Sequence, residues 1–514
     1  MDTMFLAGLA PILWLIIALS IFKMPAWQAC SVALVISFIM AIQFFRMPFN
    51  DTFTAALEGT ALACWPILHV IIAAIFTYNL SVYTKGIDTI KEMLNSVSTD
   101  ERVIVLLIAW GFGGFLECMS GFGTAVAIGA SMMASIGINP VSAIAVCLLA
   151  NSVPTAYGSI GLPLTTLAEL TGFDPSQIAT YATIQLGAIM VIVPFLIVIT
   201  FGKSFKALSG MIPLCLVAGL GFFLPSLGAA YFMGSGLAGV AGSIFSMGLI
   251  VVYAKMFPVK NPEYEIESVE EKSEISFKKG FIAWLPFILI FFFLMITSKL
   301  FPPIHDLLSQ VKTSLIIYSG EGASLFTFTW IVTPGTLIFL SAIISGFVQK
   351  ATVDDMLHVF IRTIKTLVPT FITIITIIGT ARIMGYSGMT TTIAEATVAA
   401  TGLMYPFISP LIGSVGSFIT GSATTSCVLL GKLQADSSLA IGASENVQAW
   451  MAAANATGAC VGKIISPQSI AIGVAAVGIR GGVESQLMKW AVKIYLPFVI
   501  LMGIIVYYGQ SLVG

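Results

Sequence analysis

The chain has 514 residues, of which 58% are hydrophobic and only 9% are charged, and its mean hydropathy is +1.00. Water-soluble domains cannot hide that many apolar side chains, so the composition excludes a soluble globular protein. The net charge of −1 provides no field that would attract nucleic acid. The seven cysteines stand singly in apolar segments, so we expect neither a disulfide framework nor a metal site, and we expect no cofactor.

Repeated apolar runs near the length of about 20 residues that crosses a bilayer predict an all-α polytopic membrane protein with about 12 to 14 segments. A β-barrel would show short alternating segments instead. The first run lacks a basic start and a cleavage signature, so we interpret it as a retained span. The predicted spans lie at about 4–22, 27–45, 61–82, 103–118, 178–201, 210–226, 231–254, 281–298, 330–348, 366–384, 403–419 and 488–510.

Two regions, at about 120–170 and 420–474, interrupt the apolar pattern with glycines, prolines and hydroxyl side chains. Both contain the pattern Ser/Thr-Gly-x-x-Thr followed by Asn-x6-Gly-x4-Pro. The positions are Ser120, Gly121, Thr124, Asn151, Gly158 and Pro163 in the first copy and Thr420, Gly421, Thr424, Asn455, Gly462 and Pro467 in the second. An internal repeat is therefore predicted.

The spans of the two halves superpose at an offset of about 300 residues. We expect a first transmembrane repeat at 1–206, two linking helices with a charged cytoplasmic loop at 207–280, and a second repeat at 281–514. Lysines and arginines accumulate in cytoplasmic loops, and their positions make the first half begin outside and the second half begin inside. The halves are then an inverted-topology repeat of the kind found in secondary transporters, although Arg46 falls on the outer side in this scheme.

Irregular backbone at membrane depth is tolerated only where protein or a wet cavity satisfies its polar groups. The segments 124–136 and 422–433 are too short to span the membrane, so each is predicted to be one arm of a re-entrant hairpin. The predicted tips are 137–140 and 432–436. In each copy a following helix is expected to unwind at Asn151 or Asn455.

The repeated hydroxyl and glycine residues resemble helix N-termini, which suit an anion because they offer free N–H groups and a positive dipole end. The alternative is that small residues merely permit close helix packing. We expect the two interrupted regions to face each other across a shared cavity that binds a small carboxylate. The candidate substrate-binding residues are Ser120, Gly121, Gly123, Thr124, Asn151, Tyr157, Thr420, Gly421, Ser422, Thr424, Asn455, Lys463 and Gln468.

Ionisable groups inside apolar segments are candidates for function, because a charge in hydrocarbon costs about 3 kcal/mol even on mild scales. Glu117 is the expected proton carrier, since burial favours the neutral form of a carboxyl; the alternative is permanent pairing with a base such as Arg382. Lys463 is expected to neutralise a bound carboxylate from the opposite side of the cavity, or else to snorkel. Arg382 can pair with substrate or Glu117 or anchor at the interface, and His69 can relay protons or simply pack.

Other polar and aromatic residues near these regions carry weaker predictions. Lys432, Asp436 and Glu445 are expected to be solvated or mutually paired. Trp65 and Phe122 are aromatic candidates for lining the cavity, with ordinary packing as the alternative.

Four segments resemble the bacterial L-lactate permease family: ECMSGFGTAVAIGA, LLANSVPTAYGSIGLP, MGYSGMTTTIA and GKIISPQSIAI. The resemblance extends over almost the whole chain in length and hydropathy. It implies a protein of the bacterial cytoplasmic membrane whose partners are the lipid bilayer, protons and a small carboxylate. The implied function is import of L-lactate, and of D-lactate or glycolate, by proton symport with alternating access.

Three other functions remain open from the residues alone. Carbonyl groups unwound beside Asn151 and Asn455 can also ligate Na⁺, which would make a sodium-coupled carboxylate transporter. A membrane-embedded enzyme would need a nucleophile beside a base, and the three histidines lie in no HExxH or GxSxG context. A channel would need a filter, and no subunit-repeated filter sequence is present.

Overall fold

A computed structural model describes residues 3–121, 123–259, 261–265, 276–298, 300–479 and 483–514. They are folded almost entirely as α-helices, with one small antiparallel β-hairpin. Phe122, and residues 260 and 266–275 of the charged stretch between Lys255 and Lys279, lie outside the described residues.

The helices of the first 208 residues are short or interrupted around the first glycine-rich region and long on either side of it. They are α1 (Thr3–Ile16, continued by a π-helical turn at Ile17–Ile21), α2 (Ala26–Gln43), α3 (Phe49–Leu62), α4 (His69–Tyr83), α5 (Gly86–Asn95), α6 (Glu101–Leu106), α7 (Gly113–Ser120), α8 (Thr124–Ser135), α9 (Pro140–Ala150), α10 (Gly158–Thr171) and α11 (Pro175–Gly202). π-helical turns at Ala63–Leu68 and Leu107–Phe112 join α3 to α4 and α6 to α7, and 3₁₀ turns lie at Pro154–Tyr157 and Phe205–Leu208.

The remainder begins with two linking helices and contains the single β-hairpin. Its elements are α12 (Ile212–Met233), α13 (Ser235–Met256), α14 (Phe277–Ile296), α15 (Pro302–Ser309), β1 (Lys312–Ile316), β2 (Leu325–Thr329), α16 (Pro334–Val348), α17 (Val353–Ser387), α18 (Met389–Thr401), α19 (Tyr405–Thr420), α20 (Ala423–Ala440), α21 (Glu445–Lys463), α22 (Pro467–Val477) and α23 (Val483–Val513). In the hairpin Lys312 pairs with Thr329 and Ile316 with Leu325.

Within the described residues, ten helical stretches are long and apolar enough to cross a membrane, and twelve if each of two bent helix pairs counts as one span. The predicted helical, polytopic membrane fold is confirmed, with a number of spans at or below the low end of the expected range. The span at Glu101–Ser120 is fully buried inside the protein. It therefore has no lipid-facing surface, and the first glycine-rich motif follows it in the middle of the molecule.

Several spans are longer than predicted, among them the third span and α17, and the β-hairpin was not predicted. The third span begins at Phe49 rather than near residue 61, and α17 begins at Val353 rather than near residue 366. Both extensions contain charged or hydroxyl residues, which lower the mean hydropathy over a window of the sequence. The predicted spans therefore began too late. Glu58, which lies in the first extension, is buried in the structure with only 3% of its side chain exposed.

Both glycine motifs form the turn of a helical hairpin. A Cβ atom on Gly129 of α8 would lie 4.0 Å from Ile108, so α8 folds back along the helix that precedes the motif. In the second copy Ser426 donates to the Gly413 carbonyl at 2.7 Å, and Gln434 donates to the Ser409 carbonyl at 2.9 Å. The hairpins therefore turn between α7 and α8, where Gly121 and Gly123 lie, and between α19 and α20, at Gly421 and Ser422.

The predicted positions of the turns are only partly right. Residues 137–139 do form a turn, which connects α8 to α9. The prediction of a tip at 432–436 is wrong, because α20 continues through these residues to Ala440. The segment contains no proline or glycine that would end a helix.

A helix break precedes Pro163 and Pro467, as predicted, but it begins at Asn151 in the first copy and only after Lys463 in the second. The chain between α9 and α10 is irregular, and Ser159 and Ile160 have left-handed φ angles of +47° and +59°; the helix pair bends by 61°. α21 instead continues through Asn455 and ends at Lys463, before a bend of 42° into α22. Asn455 lies among alanines, which favour helix, whereas Pro154 disfavours helix just after Asn151.

Candidate substrate site

The centre of the candidate site is a buried ion pair between the two halves of the chain. Nζ of Lys463 lies 2.6 Å from Oε1 of Glu117. The two side chains are 8% and 2% exposed. Oε2 of Glu117 has no hydrogen-bond partner among the described residues. A carboxylate with one oxygen unbonded, held by a single ammonium, can release that ammonium to another anion.

Local sequence explains where the two side chains are placed. Glu117 lies one turn before the hairpin turn at Gly121, whose amide donates to the Glu117 carbonyl at 2.9 Å. Lys463 is the last residue of α21, next to the break before Pro467. Each charged side chain therefore lies near the end of a regular helix, beside backbone N–H or C=O groups that make no hydrogen bond within the helix.

A cavity of about 50 Å³ adjoins this pair. Both hairpin turns and the first helix break contribute to its wall. The lining residues are Glu117, Gly121, Thr155, Gly158, Ser159, Pro163, Gly421, Ser422, Ala423, Thr424 and Lys463. The structure thus brings together six of the predicted substrate-binding and proton-coupling residues, from positions more than three hundred residues apart in the chain.

Two helices begin at the cavity, as their sequences predicted. α8 begins at Thr124, directly after Gly121 and Gly123, which both have positive φ angles. α20 begins at Ala423, and the Ser422 side chain caps it by accepting from the amide of Thr425 at 3.2 Å. The first turn of a helix has N–H groups without intrahelical partners and carries partial positive charge. Together with Lys463, these helix ends make the cavity favourable for an anion.

Other predicted residues hold the two turns in place. Ser120 donates to the Leu116 carbonyl at 2.8 Å, while its own carbonyl accepts from Ser159 at 2.9 Å. That second bond ties the first hairpin turn to the first break. Thr420 donates to the Gly416 carbonyl at 2.7 Å.

Two further predicted residues pack at the edges of the turns. A Cβ on Gly421 would collide with the carboxamide of Gln468, so this side chain lies directly against the second turn. Gly123 is close to Ile472 of α22, at 2.8 Å from the position of a Cβ. These glycines permit close approach between both hairpin turns and α22, the second half of the second broken helix.

Three predicted residues are buried without lining the cavity. Asn151 is 4% exposed, and neither atom of its carboxamide has a partner among the described residues. Asn455 accepts from Gln434 at 3.4 Å, and the Tyr157 hydroxyl lies 2.7 Å from that of Thr183.

Arg382 and His69 lie in other environments. Arg382 pairs with Glu58, with Nε 3.3 Å from Oε1, rather than with Glu117. His69 stacks on Trp65 at 4.1 Å, and its Nε2 lies 3.0 Å from the Thr336 hydroxyl. Glu58 was missed because the predicted third span began after it.

Comparison with known proteins identifies the family. Residues 4–513 match the family model described as L-lactate permease. The chain belongs to the L-lactate permease family. The resemblance noted in the glycine motifs is confirmed, and because this is a family of permeases in a membrane, the chain is a multi-pass transporter of the bacterial cytoplasmic membrane rather than an enzyme.

Curated relatives cover nearly the whole length of this family member. An L-lactate permease of Streptococcus iniae is 40% identical over 89% of this chain and 95% of its own length. The glycolate permease GlcA of Escherichia coli is 32% identical over 97% of this chain and 94% of its own length, and an L-lactate permease of Bacillus subtilis is 32% identical over 98% and 95%. Among solved structures, Neisseria gonorrhoeae MtrF covers 88% of this chain and 84% of its own at 14% identity, with a TM-score of 0.47, too distant a likeness to assign details.

Proposed function

We propose that this permease imports L-lactate and related 2-hydroxy monocarboxylates, such as D-lactate or glycolate, together with protons. The names of its relatives support the substrate class. The observation that supports the mechanism is the buried pair of Glu117 and Lys463 at the meeting point of the two hairpin turns. In this proposal Lys463 binds the substrate carboxylate and Glu117 carries the proton.

Charge balance links the two roles. With the site empty, one ammonium neutralises one carboxylate. A substrate carboxylate that takes Nζ of Lys463 leaves Glu117 as a second, unpaired carboxylate in a buried place, where an uncompensated charge costs several kcal/mol. Proton uptake by Glu117 removes that cost. The loaded site then contains an ammonium, a substrate carboxylate and a neutral carboxyl, and its net charge is zero, as it was when empty.

This balance suits alternating access. Because both the empty and the loaded site are neutral, either can change its exposure from one side of the membrane to the other without moving a net charge. A site that bound the anion without the proton would carry a negative charge through the protein interior. One proton is therefore transported with each substrate anion.

The size of the cavity requires movement on binding. A volume of about 50 Å³ accommodates water molecules but not a hydroxy acid with its contacts. Separation of Glu117 from Lys463, with a shift of one hairpin turn, would enlarge it. The glycines at both turns allow the backbone to approach the substrate, and the starts of α8 and α20 add partial positive charge beside the carboxylate.

A sodium-coupled alternative is supported by the unpartnered carboxamide of Asn151. Uptake of labelled L-lactate into proteoliposomes separates the two functions. Proton symport predicts uptake above the equilibrium level when only a pH gradient is applied in sodium-free buffer, and collapse of uptake when an ionophore dissipates that gradient. Uptake that needs a sodium gradient and ignores the pH gradient would contradict the proposal.

A further inference from the structure

A second and larger cavity, of about 650 Å³, lies beneath the β-hairpin. Its wall is formed by α3, α10, α17, α20 and the strand β2 with the loop before it. Charged side chains line it from both halves of the chain. They are Glu58, Glu169, Arg382 and Lys432.

Arg382 has unused hydrogen-bonding capacity in this cavity. A guanidinium group has five N–H donors. Among the described residues, Arg382 makes only one hydrogen bond, a long one of 3.4 Å to the Glu169 carbonyl. Its Nε lies 3.3 Å from Oε1 of Glu58, within ion-pair distance, but the geometry is not that of a hydrogen bond. The side chain is 17% exposed, so much of its charge is shielded from bulk water.

The Glu58 carboxylate has unused hydrogen-bond acceptor capacity, just as Arg382 has unused donor capacity. Oε1 accepts a hydrogen bond from Tyr386 at 2.7 Å. Oε2 is buried and has no hydrogen-bond partner among the described residues. Tyr386 is held in turn by stacking on Tyr318, with ring centroids 3.8 Å apart. One oxygen of the carboxylate is therefore held by Tyr386, and the hydrogen-bonding capacity of the other is unused.

Two helices, α10 and α20, line both the large cavity and the small cavity beside Glu117 and Lys463. Thr424 lines the small cavity and Val428, one helical turn later in α20, lines the large one. In α10, Pro163 lines the small cavity and Leu170, two helical turns later, lines the large one. Between them Leu167 packs against Gly431, where a Cβ would collide with it. The packing of α10 on α20 thus separates the two cavities.

We propose that the large cavity is a second binding site for a 2-hydroxy monocarboxylate, occupied before the substrate reaches Lys463. The substrate carboxylate would bind the free N–H donors of Arg382, and its 2-hydroxyl would donate to Oε2 of Glu58. An unsubstituted monocarboxylate would leave that oxygen unbonded, so this site selects for the hydroxyl group. Lys432 adds a second cation at the wall, although Asp436 partly neutralises it at 3.1 Å.

The inference rests on the proposed function, since it concerns the same substrate. The test is equilibrium binding of labelled L-lactate to the purified full-length permease, with the number of bound molecules counted. We expect two equivalents for the wild type and one for either Lys463→Ala or Arg382→Gln. The double variant should bind roughly tenfold or more weakly than either single variant. Arg362→Gln, which removes an exposed arginine of the same helix, is the matched control and should bind two.

Competition with propionate provides the second readout. In the Lys463→Ala protein, propionate should displace lactate roughly tenfold less effectively than unlabelled lactate does, because it lacks the hydroxyl group. One bound equivalent in the wild type, or none in Lys463→Ala, would overturn the second site while leaving the proposed function intact. No lactate binding and no transport by the wild type would instead contradict the proposed function itself.

Discussion

Lys463, the last residue of α21, donates from Nζ to Oε1 of Glu117 at 2.6 Å, across 346 positions of sequence. The contact joins the end of a broken helix in the second half of the chain to the arm of a helical hairpin in the first half. Both partners are almost completely buried. In the proposed mechanism this pair has two functions, because it stabilises the packing of the two regions and opens for a substrate anion.

The first prediction concerns stability. Lys463→Met leaves the Glu117 carboxylate buried without a counter-charge, so we expect destabilisation of about 3–5 kcal/mol. Adding Glu117→Gln to this variant should restore much of the loss, since neither charge then remains. Thermal unfolding midpoints in detergent measure the effect. Lys432→Met, which breaks a pair with a 39% exposed lysine, serves as a control and should change stability by about 1 kcal/mol or less. A double variant less stable than Lys463→Met would contradict this account.

The second prediction concerns the close packing at the second hairpin turn. Gly421 has φ +68°, and an alanine there would displace Gln468. Gly478 has a nearly identical φ of +69°, but nothing lies within 4 Å of a Cβ at that position. Both substitutions to alanine carry the same backbone strain of about 1 kcal/mol. We expect Gly421→Ala to reduce the maximal rate of lactate uptake roughly tenfold or more, and Gly478→Ala to change it by less than about twofold. Equal effects of the two substitutions on the uptake rate would contradict the requirement that Gln468 lie directly against the second hairpin turn.

The third prediction tests the inverted topology. Positively charged loops place residues 203–211 inside and the β-hairpin outside. In a Cys64→Ser background, which removes the exposed native cysteine, we expect Glu321→Cys to react with a membrane-impermeant maleimide added to intact cells. Ser209→Cys should react only after the cells are opened. Labelling of Ser209→Cys in intact cells would reverse the predicted orientation.

The fourth prediction separates a structural charge from the functional pair. Arg102 is fully buried, bonded to Asp100 at 2.6 Å and to the carbonyls of Ala207 and Ser209 at 2.8 and 2.9 Å. The single ammonium group of a lysine cannot make all of these hydrogen bonds at once. Arg102→Lys should therefore destabilise the protein by about 2–4 kcal/mol. Transport per folded molecule should keep the wild-type KM. A large rise in KM with unchanged stability would assign Arg102 a role in substrate binding.

The sequence contains enough information to predict irregular, buried backbone in each half and to place Glu117 and Lys463 at one shared cavity. It did not predict their direct contact, because the two side chains were expected on opposite sides of that cavity. Glycines, prolines and charges are so unfavourable in lipid-facing helix that their repetition indicates buried, irregular backbone. Asn151 and Asn455 show the limit of the pattern. They occupy equivalent places in the repeat, but Pro154 ends one helix and the alanines around Asn455 continue the other.

The partners of Arg382 could not be predicted in the same way. Mean hydropathy over a window of the sequence placed Glu58 before the third span. The sequence therefore did not predict that the Glu58 side chain is buried. Only the packing of α3 against α17 brings Glu58, Arg382 and Tyr386 together. The β-hairpin that covers them was also missed, since its threonines and exposed strands give no strong alternation of polar and apolar residues.

Proton movement in Glu117→Gln tests the central claim most directly. Lactate is added to proteoliposomes that contain a pH-sensitive dye, and counterflow of labelled lactate is measured in the same preparation. We expect the wild type to carry protons inward with lactate. We expect Glu117→Gln to lose this proton uptake but still to exchange lactate, because Lys463 remains to bind the carboxylate. Glu445→Gln, an exposed control, should behave as the wild type. Full lactate-driven proton uptake by Glu117→Gln would contradict the assignment of Glu117 as the proton carrier.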